Sequence, residues 1–242
     1  MHLHKLLKIR AILFDLDDTL YDQTQYNLGA FELISRLVHS EAGIDQERVF
    51  EKLREIYKRN TMSGKRNLNE LVSELGIEIP AEFRSEGEYA MHLARDGYHG
   101  FKPTTLTLYD GAMATLKELK RRGLKLGIIT DGNVSTQKRK IEALGIAWLF
   151  DAIIYSADST VSKGTSNLPY LAALNSTGID DGENAMMVGD NPLADFHFAN
   201  SLGMTTVRVA TGEYSAIMPA TQAQQPHYTV TDLSGILQII RA

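Results

Sequence analysis

Ala11-Ile12-Leu13-Phe14-Asp15-Leu16-Asp17-Asp18-Thr19-Leu20 is the stretch around which this chain is organised. A short apolar run, Ile12 to Phe14, ends abruptly in three carboxylates, Asp15, Asp17 and Asp18. An uninterrupted apolar run of this kind suits a strand buried on both faces of a parallel sheet. Asp15 then stands at the strand's carboxyl end, where open α/β sheets place their ligands. Carboxylates crowded at a strand end repel one another and resist burial, so something must offset their charge. A divalent cation is the natural offset, because hard cations such as Mg2+ take oxygen ligands. The competing reading is a loop whose aspartates are simply solvated.

The bulk properties narrow the partners. A chain of 242 residues fits one large domain or a core plus a smaller domain. Its net charge of -5 gives no footprint for a nucleic acid or an acidic membrane surface. An anionic substrate must therefore rely on local positive charge or a bound metal. The absence of cysteine removes disulfides, thiolate metal sites and cysteine nucleophiles together, which fits a cytoplasmic location. Met1 to Arg10 is basic but has no uninterrupted apolar core, so it does not read as a signal peptide. No stretch approaches transmembrane length.

After Leu20 the texture turns helical. Leu28, Phe31, Ile34, Leu37 and Val38 form one stripe, and Val49, Phe50, Leu53, Ile56 and Tyr57 a second. Leu68, Leu71, Val72 and Leu75 form a third that stops at Gly76, and Phe83 to Ala94 a fourth that stops near Gly97. Thr61 to Asn67 reads as a basic loop between two of these helices. No strand separates the stripes, which predicts a small all-α domain inserted over residues 22–103. From Tyr109 onward strands and helices alternate. Strands are predicted at 124–130, 152–155, 185–189, 204–209 and, weakly, 228–230, with helices between them, including 168–174 and 192–202. This alternation implies a doubly wound parallel sheet with right-handed crossovers, built from residues 1–21 and 104–242.

Three of these strands end alike. One runs into Asp15, one into Thr130-Asp131-Gly132 and one into Asp190. Parallel neighbours would bring these ends to one sheet edge and form a single crevice. The Thr130 hydroxyl and the open backbone at Gly132 suit a phosphoryl oxygen at the start of the next helix. The alternative is a turn that merely caps that helix through Thr130 or Asn133. Asp195 falls one turn into a helix that Pro192 opens, so it either joins the crevice or serves only the helix dipole. A lysine is needed to balance several carboxylates and a phosphate, and Lys163 is the candidate; otherwise it is a surface lysine.

These residues carry a family resemblance. Asp15-Leu16-Asp17-Asp18-Thr19 resembles motif I, DxDx[T/V], of the haloacid dehalogenase-like superfamily. Thr130 resembles its motif II, and Gly189 to Asp195 is similar to its motif IV, GDxxxxD. Lys163 resembles motif III more loosely, because Gly164 stands where members often have proline and the spacing to the helix is slightly long. The resemblance implies a Rossmann-like core with a helical cap, and Mg2+-dependent hydrolysis of a small phosphate monoester through an aspartyl-phosphate. In that scheme Asp15 is the nucleophile and Asp17 the general acid and base. The ion is held by Asp15, Asp190 and the backbone carbonyl of Asp17. Thr130, Asp131, Gly132 and Lys163 hold the phosphoryl group, and Asp195 ligates through water or orients the lysine. Cap closure excludes bulk water. Dehalogenating members lack an acid at the position of Asp17, whereas a phosphate ester needs a proton on its leaving oxygen. Asp18, often glycine in members, receives no role. A phosphomutase would use the same residues and stays open, as does a non-catalytic phosphate- or metal-binding regulator. The partner is a small phosphorylated metabolite, and both a monomer and a homodimer fit.

Overall fold

A computed structural model describes residues 8–60, 64–156 and 161–240. Most of the basic N-terminal segment, Met1 to Leu7, and the first part of the expected basic loop, Thr61 to Ser63, lie outside the described residues. The chain divides into two compact units, Met1–Gln23 with Thr105–Ala242, and Thr24–Thr104.

The first unit is built on β1 (Ala11–Phe14), whose four residues are all buried. Its continuous apolar run finds parallel partners on both sides. Phe14 sits opposite Ile128 of β2 (Lys125–Asp131) and opposite Val188 of β4 (Ala185–Gly189). With β3 (Ala152–Ser156), β5 (Thr205–Val209) and β6 (Tyr228–Val230) the sheet has the order β3-β2-β1-β4-β5-β6, and every pairing is parallel. This is the doubly wound sheet that the strand-helix alternation implies. The strand order reverses between β1 and β4, and such a switch point opens a crevice at the carboxyl ends of the strands. Ala11 and Leu13 of β1 share a buried cluster with Ile129, Met187, Tyr170 and Ala199. Leu13, Ile129 and Met187 each contribute roughly 1.5–3 kcal/mol on burial.

The second unit is helical among its described residues. It comprises α1 (Thr24–Ala42), α2 (Gln46–Asn60), α3 (Gly64–Leu75) and α4 (Glu86–His92), the last continued by a π-helical segment, Leu93–Tyr98. Its core joins Phe31, Ile34 and Val38 to Val49, Leu53 and Ile56, so the first two stripes face each other. Leu71, Val72 and Leu93 close the cluster. Gly64 to Asn67 forms the first turn of α3 rather than loop, and Arg66 pairs with Glu70 at 2.9 Å. The fourth helix starts at Glu86 instead of Phe83, because the Ser85 side chain accepts the Glu88 N–H and caps it. Its π-helical continuation ends at Tyr98, near Gly97 as expected. Gly97 lies against α1, where an added Cβ would fall 2.4 Å from Ile34 Cγ1.

In the first unit the connecting helices are α5 (Ala112–Arg121), α6 (Val134–Leu144), α7 (Leu168–Thr177), α8 (Pro192–Asp195), α9 (His197–Ser201) and α10 (Gly235–Ile239). α7 runs on to Thr177 before Gly178 ends it. The single helix expected over 192–202 is broken at Phe196. There the Tyr170 hydroxyl donates to the carbonyls of Ala194 and Asp195, at 3.1 and 2.9 Å, and takes the place of ladder donors. Among the described residues no helix is long and apolar enough to cross a membrane.

Candidate active site

The Asp15 N–H donates to the Val188 carbonyl at 2.9 Å, which fixes Asp15 at the mouth between β1 and β4. Asp190 follows β4 directly, and Asp195 closes the single turn of α8 behind it. Oxygens of these three buried carboxylates lie within 4.8 Å of one another. Gly189 makes the approach possible, since a Cβ there would fall 2.2 Å from Asp195 Oδ2. Asp195 is further held by the Asn191 N–H at 3.0 Å, and Asp190 by the Thr19 hydroxyl at 3.1 Å. Arg208 donates to the Asp190 carbonyl at 3.2 Å.

Lys163 enters this cluster from the loop before α7. Its ammonium is buried, bonded to Asp15 and, at 2.8 Å, to Asp195. Lys163 is therefore not a surface lysine. Asp131 positions it: the Asp131 carboxylate accepts the Lys163 backbone N–H at 3.1 and 3.3 Å. With its carboxylate engaged by a loop N–H that needs an acceptor, Asp131 has its backbone left to face a phosphoryl group in the Thr130-Asp131-Gly132 turn. Gly132, at φ +117°, keeps the open backbone expected of it.

The electrostatics of this cluster are unbalanced. Burial pushes the Asp15 carboxyl up from its ordinary value of 3.8, against the pull of Lys163, and Asp195 and Asp17 push it further. Burial likewise raises Asp190, reinforced by Asp195 and Asp15. Burial opposes the charge on Lys163, but Asp15 and Asp195 outweigh it and hold the ammonium well above its ordinary range. Fully ionised, the three carboxylates would outnumber their one ammonium in a low-dielectric pocket, and the raised Asp15 and Asp190 resist that excess by holding their protons.

Asp17 points elsewhere. Its carboxylate takes Lys140 Nζ at 2.8 and 2.9 Å, Gln137 Nε2 at 2.8 Å and the Tyr21 hydroxyl at 2.6 Å. Burial alone would raise this carboxyl, but the Lys140 charge, with the bonds from Lys140, Tyr21 and Gln137, holds it below the usual carboxylate range. The side chain of Asp17 is thus not part of the three-carboxylate cluster, and only its backbone is left for a metal. Gln137 Nε2 also donates to the Thr130 hydroxyl oxygen, so Thr130 is buried beside Asp17. Lys140, Gln137 and Tyr21 are the residues that the sequence reading misses. A signal for two of them is present: Gln137 and Lys140 lie on the same helical stripe as Ile141 and Leu144, where apolar residues belong.

Asp18, to which the sequence reading gives no role, is an anchor. It has φ +55°, the left-handed region that glycine, asparagine and aspartate tolerate best. Its carboxylate accepts the N–H groups of Gln23 at 2.9 Å and Glu213 at 3.3 Å, and its carbonyl accepts the Thr211 hydroxyl at 2.6 Å. Gly212 lies so close that an added Cβ would fall 2.3 Å from Asp18 Cβ.

Glu213 itself is under strain of charge. Both its carboxylate oxygens are buried without a partner among the described residues. Burial first, then Asp18, Asp22 and Asp17, push it from an ordinary 4.5 to about 7. An acid raised in the folded state costs stability as pH climbs from its unfolded value to its folded one. Glu213→Gln is therefore expected to raise the melting temperature at pH 8 and leave it unchanged at pH 4. Discounted for partial exposure, the gain is about 1 kcal/mol, or roughly 2–4 °C. Equal shifts at both pH values in a thermal-melt series would rule out the charge as the cause.

A family model described as haloacid dehalogenase-like hydrolase matches residues 9–203. The chain is 31% identical to a glyceraldehyde 3-phosphate phosphatase of Methanocaldococcus jannaschii, over 96% of this chain and 97% of that one. It is 29% identical to the N-acylneuraminate-9-phosphatase of Homo sapiens, over 97% and 96%. The fold is that of the crystal structure of a HAD phosphatase from Thermococcus onnurineus, with TM-score 0.62 at 23% identity, covering 96% and 98%.

Proposed function

The chain belongs to the haloacid dehalogenase-like hydrolases, and from that membership we propose that it is a Mg2+-dependent phosphatase hydrolysing a small phosphate monoester through an aspartyl-phosphate on Asp15. The observation that carries this reading is the meeting of Asp15, Asp190 and Asp195 around the Lys163 ammonium at the switch point of the sheet. The names of the relatives support a phosphate ester as substrate.

The residues fit magnesium. The donors are all oxygen, and once ionised the three buried carboxylates would exceed their one ammonium by two charges, which a hard divalent cation would offset. Asp15 and Asp190 would hold it together with the Asp17 carbonyl, with Asp195 behind them. When bound, the ion neutralises charge so that an anionic nucleophile can meet an anionic phosphate. An Asp15 oxygen attacks phosphorus, the bond to the leaving alcohol breaks, and the leaving oxygen takes a proton from Asp17. Asp17 then removes a proton from the water that attacks the acyl phosphate, releasing inorganic phosphate and restoring Asp15. Thr130 and Lys163 bind the non-bridging oxygens. Asp17 is held ionised by Lys140, which suits its second task directly. For the first task it must gain a proton, and a phosphate dianion bound at Thr130 raises it in that direction.

The test is a panel of phosphorylated metabolites and p-nitrophenyl phosphate assayed for phosphate release. Excess EDTA is expected to lower the rate at least ~100-fold, with recovery on adding Mg2+. An unchanged rate in chelator would overturn the metal. Isomerised sugar phosphate in place of free phosphate would favour a mutase.

A further inference from the structure

We propose that Gln137 and Lys140, a helical turn apart on α6, are positioning residues: Gln137 aims the Thr130 hydroxyl at the phosphoryl group, and Lys140 locks the carboxylate of Asp17 in one orientation. This rests on the phosphatase reading above and adds to it two residues outside the strand-end motifs.

The hydrogen-bond chemistry at Gln137 allows one arrangement. A side-chain amide has two N–H donors on nitrogen and none on oxygen, while an ionised carboxylate only accepts. Since Asp17 Oδ2 faces the amide at 2.8 Å, the end turned towards it must be Nε2. The same Nε2 reaches Thr130 Oγ1, so its second proton is given to the hydroxyl oxygen. Thr130 is thereby an acceptor towards Gln137, and its own proton must be donated in another direction. A phosphoryl oxygen lodged against the Thr130-Asp131-Gly132 turn is an acceptor of the right kind. Without Gln137 the hydroxyl could spend its proton on a neighbouring carboxylate.

Lys140 settles the other half of the pair. Asp17 Oδ1 takes Lys140 and Tyr21, and Oδ2 takes Lys140 and Gln137, so each oxygen has two donors and the carboxyl plane cannot turn. Lys140 and Gln137 are both 2% exposed. A leucine in either place would continue the stripe of Ile141 and Leu144 at lower cost than a desolvated ammonium. The ion pair is therefore poor value as packing and good value as geometry. It holds the proton-transfer group at a fixed distance from the phosphate-binding turn, where small displacements are costly.

The experiment separates positioning from mere support by the leaving group. The value of kcat/KM reports the steps through phosphoryl transfer, where Asp17 protonates the departing oxygen. An alkyl phosphate such as glycerol phosphate needs that proton, whereas p-nitrophenyl phosphate releases an anion stable without it. Lys140→Met is expected to lower kcat/KM about 100-fold for the alkyl ester and less than about tenfold for the aryl ester. Gln137→Leu, a neutral change that keeps the test readable where the lysine variant does not fold, should also lower the alkyl ester more than the aryl one. In addition it should weaken binding of inorganic phosphate, measured by calorimetry in Mg2+, about tenfold. Thr130→Val added to Gln137→Leu should weaken phosphate no further, because both act through one hydroxyl. Equal losses on the two esters, or phosphate affinity unchanged in Gln137→Leu, would overturn the inference while the wild type still hydrolyses both. A wild type that hydrolyses neither ester would instead defeat the phosphatase reading on which it rests.

Discussion

Asp15→Asn is expected to lower turnover by about 10^4-fold or more while the protein stays folded. The amide has the shape of the carboxylate and its oxygen can still accept from Lys163, but it has no anionic lone pair to form the acyl phosphate. Folding should be little affected, because Asp15 is one of three carboxylates crowded within 4.8 Å, and burial already works against its charge. Removing that charge relieves repulsion from Asp190 and Asp195 about as much as it weakens the pair with Lys163. The melting temperature in EDTA should therefore shift by only a few degrees, and the rise on adding Mg2+ should shrink, since one proposed ligand has lost its charge. Acid-quenched wild type incubated with 32P-labelled ester should carry label on protein, and the variant none. Near-wild-type turnover in Asp15→Asn would reject the covalent route even if the family assignment stands.

What the sequence reveals and what it conceals divides along a physical line. Strands buried on both faces are continuous apolar runs, so β1 and β4 can be read directly, as can the acids that end them, Asp15 and Asp190. Asp195 is legible because Pro192 marks the helix that carries it. The residues that are hard to read depend on contacts far apart in the chain. Lys163 lies in a loop without periodicity, and its place is set by Asp131 catching its backbone N–H. Asp18 looks like a third acid of a cluster, yet its left-handed backbone and its bonds to Thr211 and Glu213 make it a tie between two loops. The break at Phe196 comes from the Tyr170 hydroxyl, which no local pattern announces. Gln137 and Lys140 are a different case. They stand on an apolar stripe, and a polar residue in such a place is informative when the stripe is taken strictly.

Lys163→Met should be the most destabilising change in the site as well as an inactivating one. The ammonium is the counter-charge shared by Asp15 and Asp195, and both Lys163 and Asp195 are buried. Removing one member of a buried ionic group strands the others, at a cost of about 3–5 kcal/mol, or roughly 10 °C in a chain of this size. The loss should depend on pH with a definite sign. In the wild type Lys163 is held above its ordinary 10.5, so its charge is present throughout the neutral range. Without it, Asp15, already raised from 3.8 by burial, moves higher still. The wild type already holds Asp15 up at about 8, so both proteins keep that acid protonated below this pH, and the deficit should be level from pH 4 to pH 7 and larger at pH 9. Asp195→Asn placed on the Lys163→Met background should recover part of the deficit at pH 9 by removing one stranded charge, an effect opposite to its own cost in the wild type. Thermal melts of the four proteins at pH 7 and pH 9 measure this coupling without any substrate. A Lys163→Met protein that melts as the wild type does at pH 9 would mean that the cluster carries its charge without the lysine, and Lys163 would then have no claim to the phosphate either.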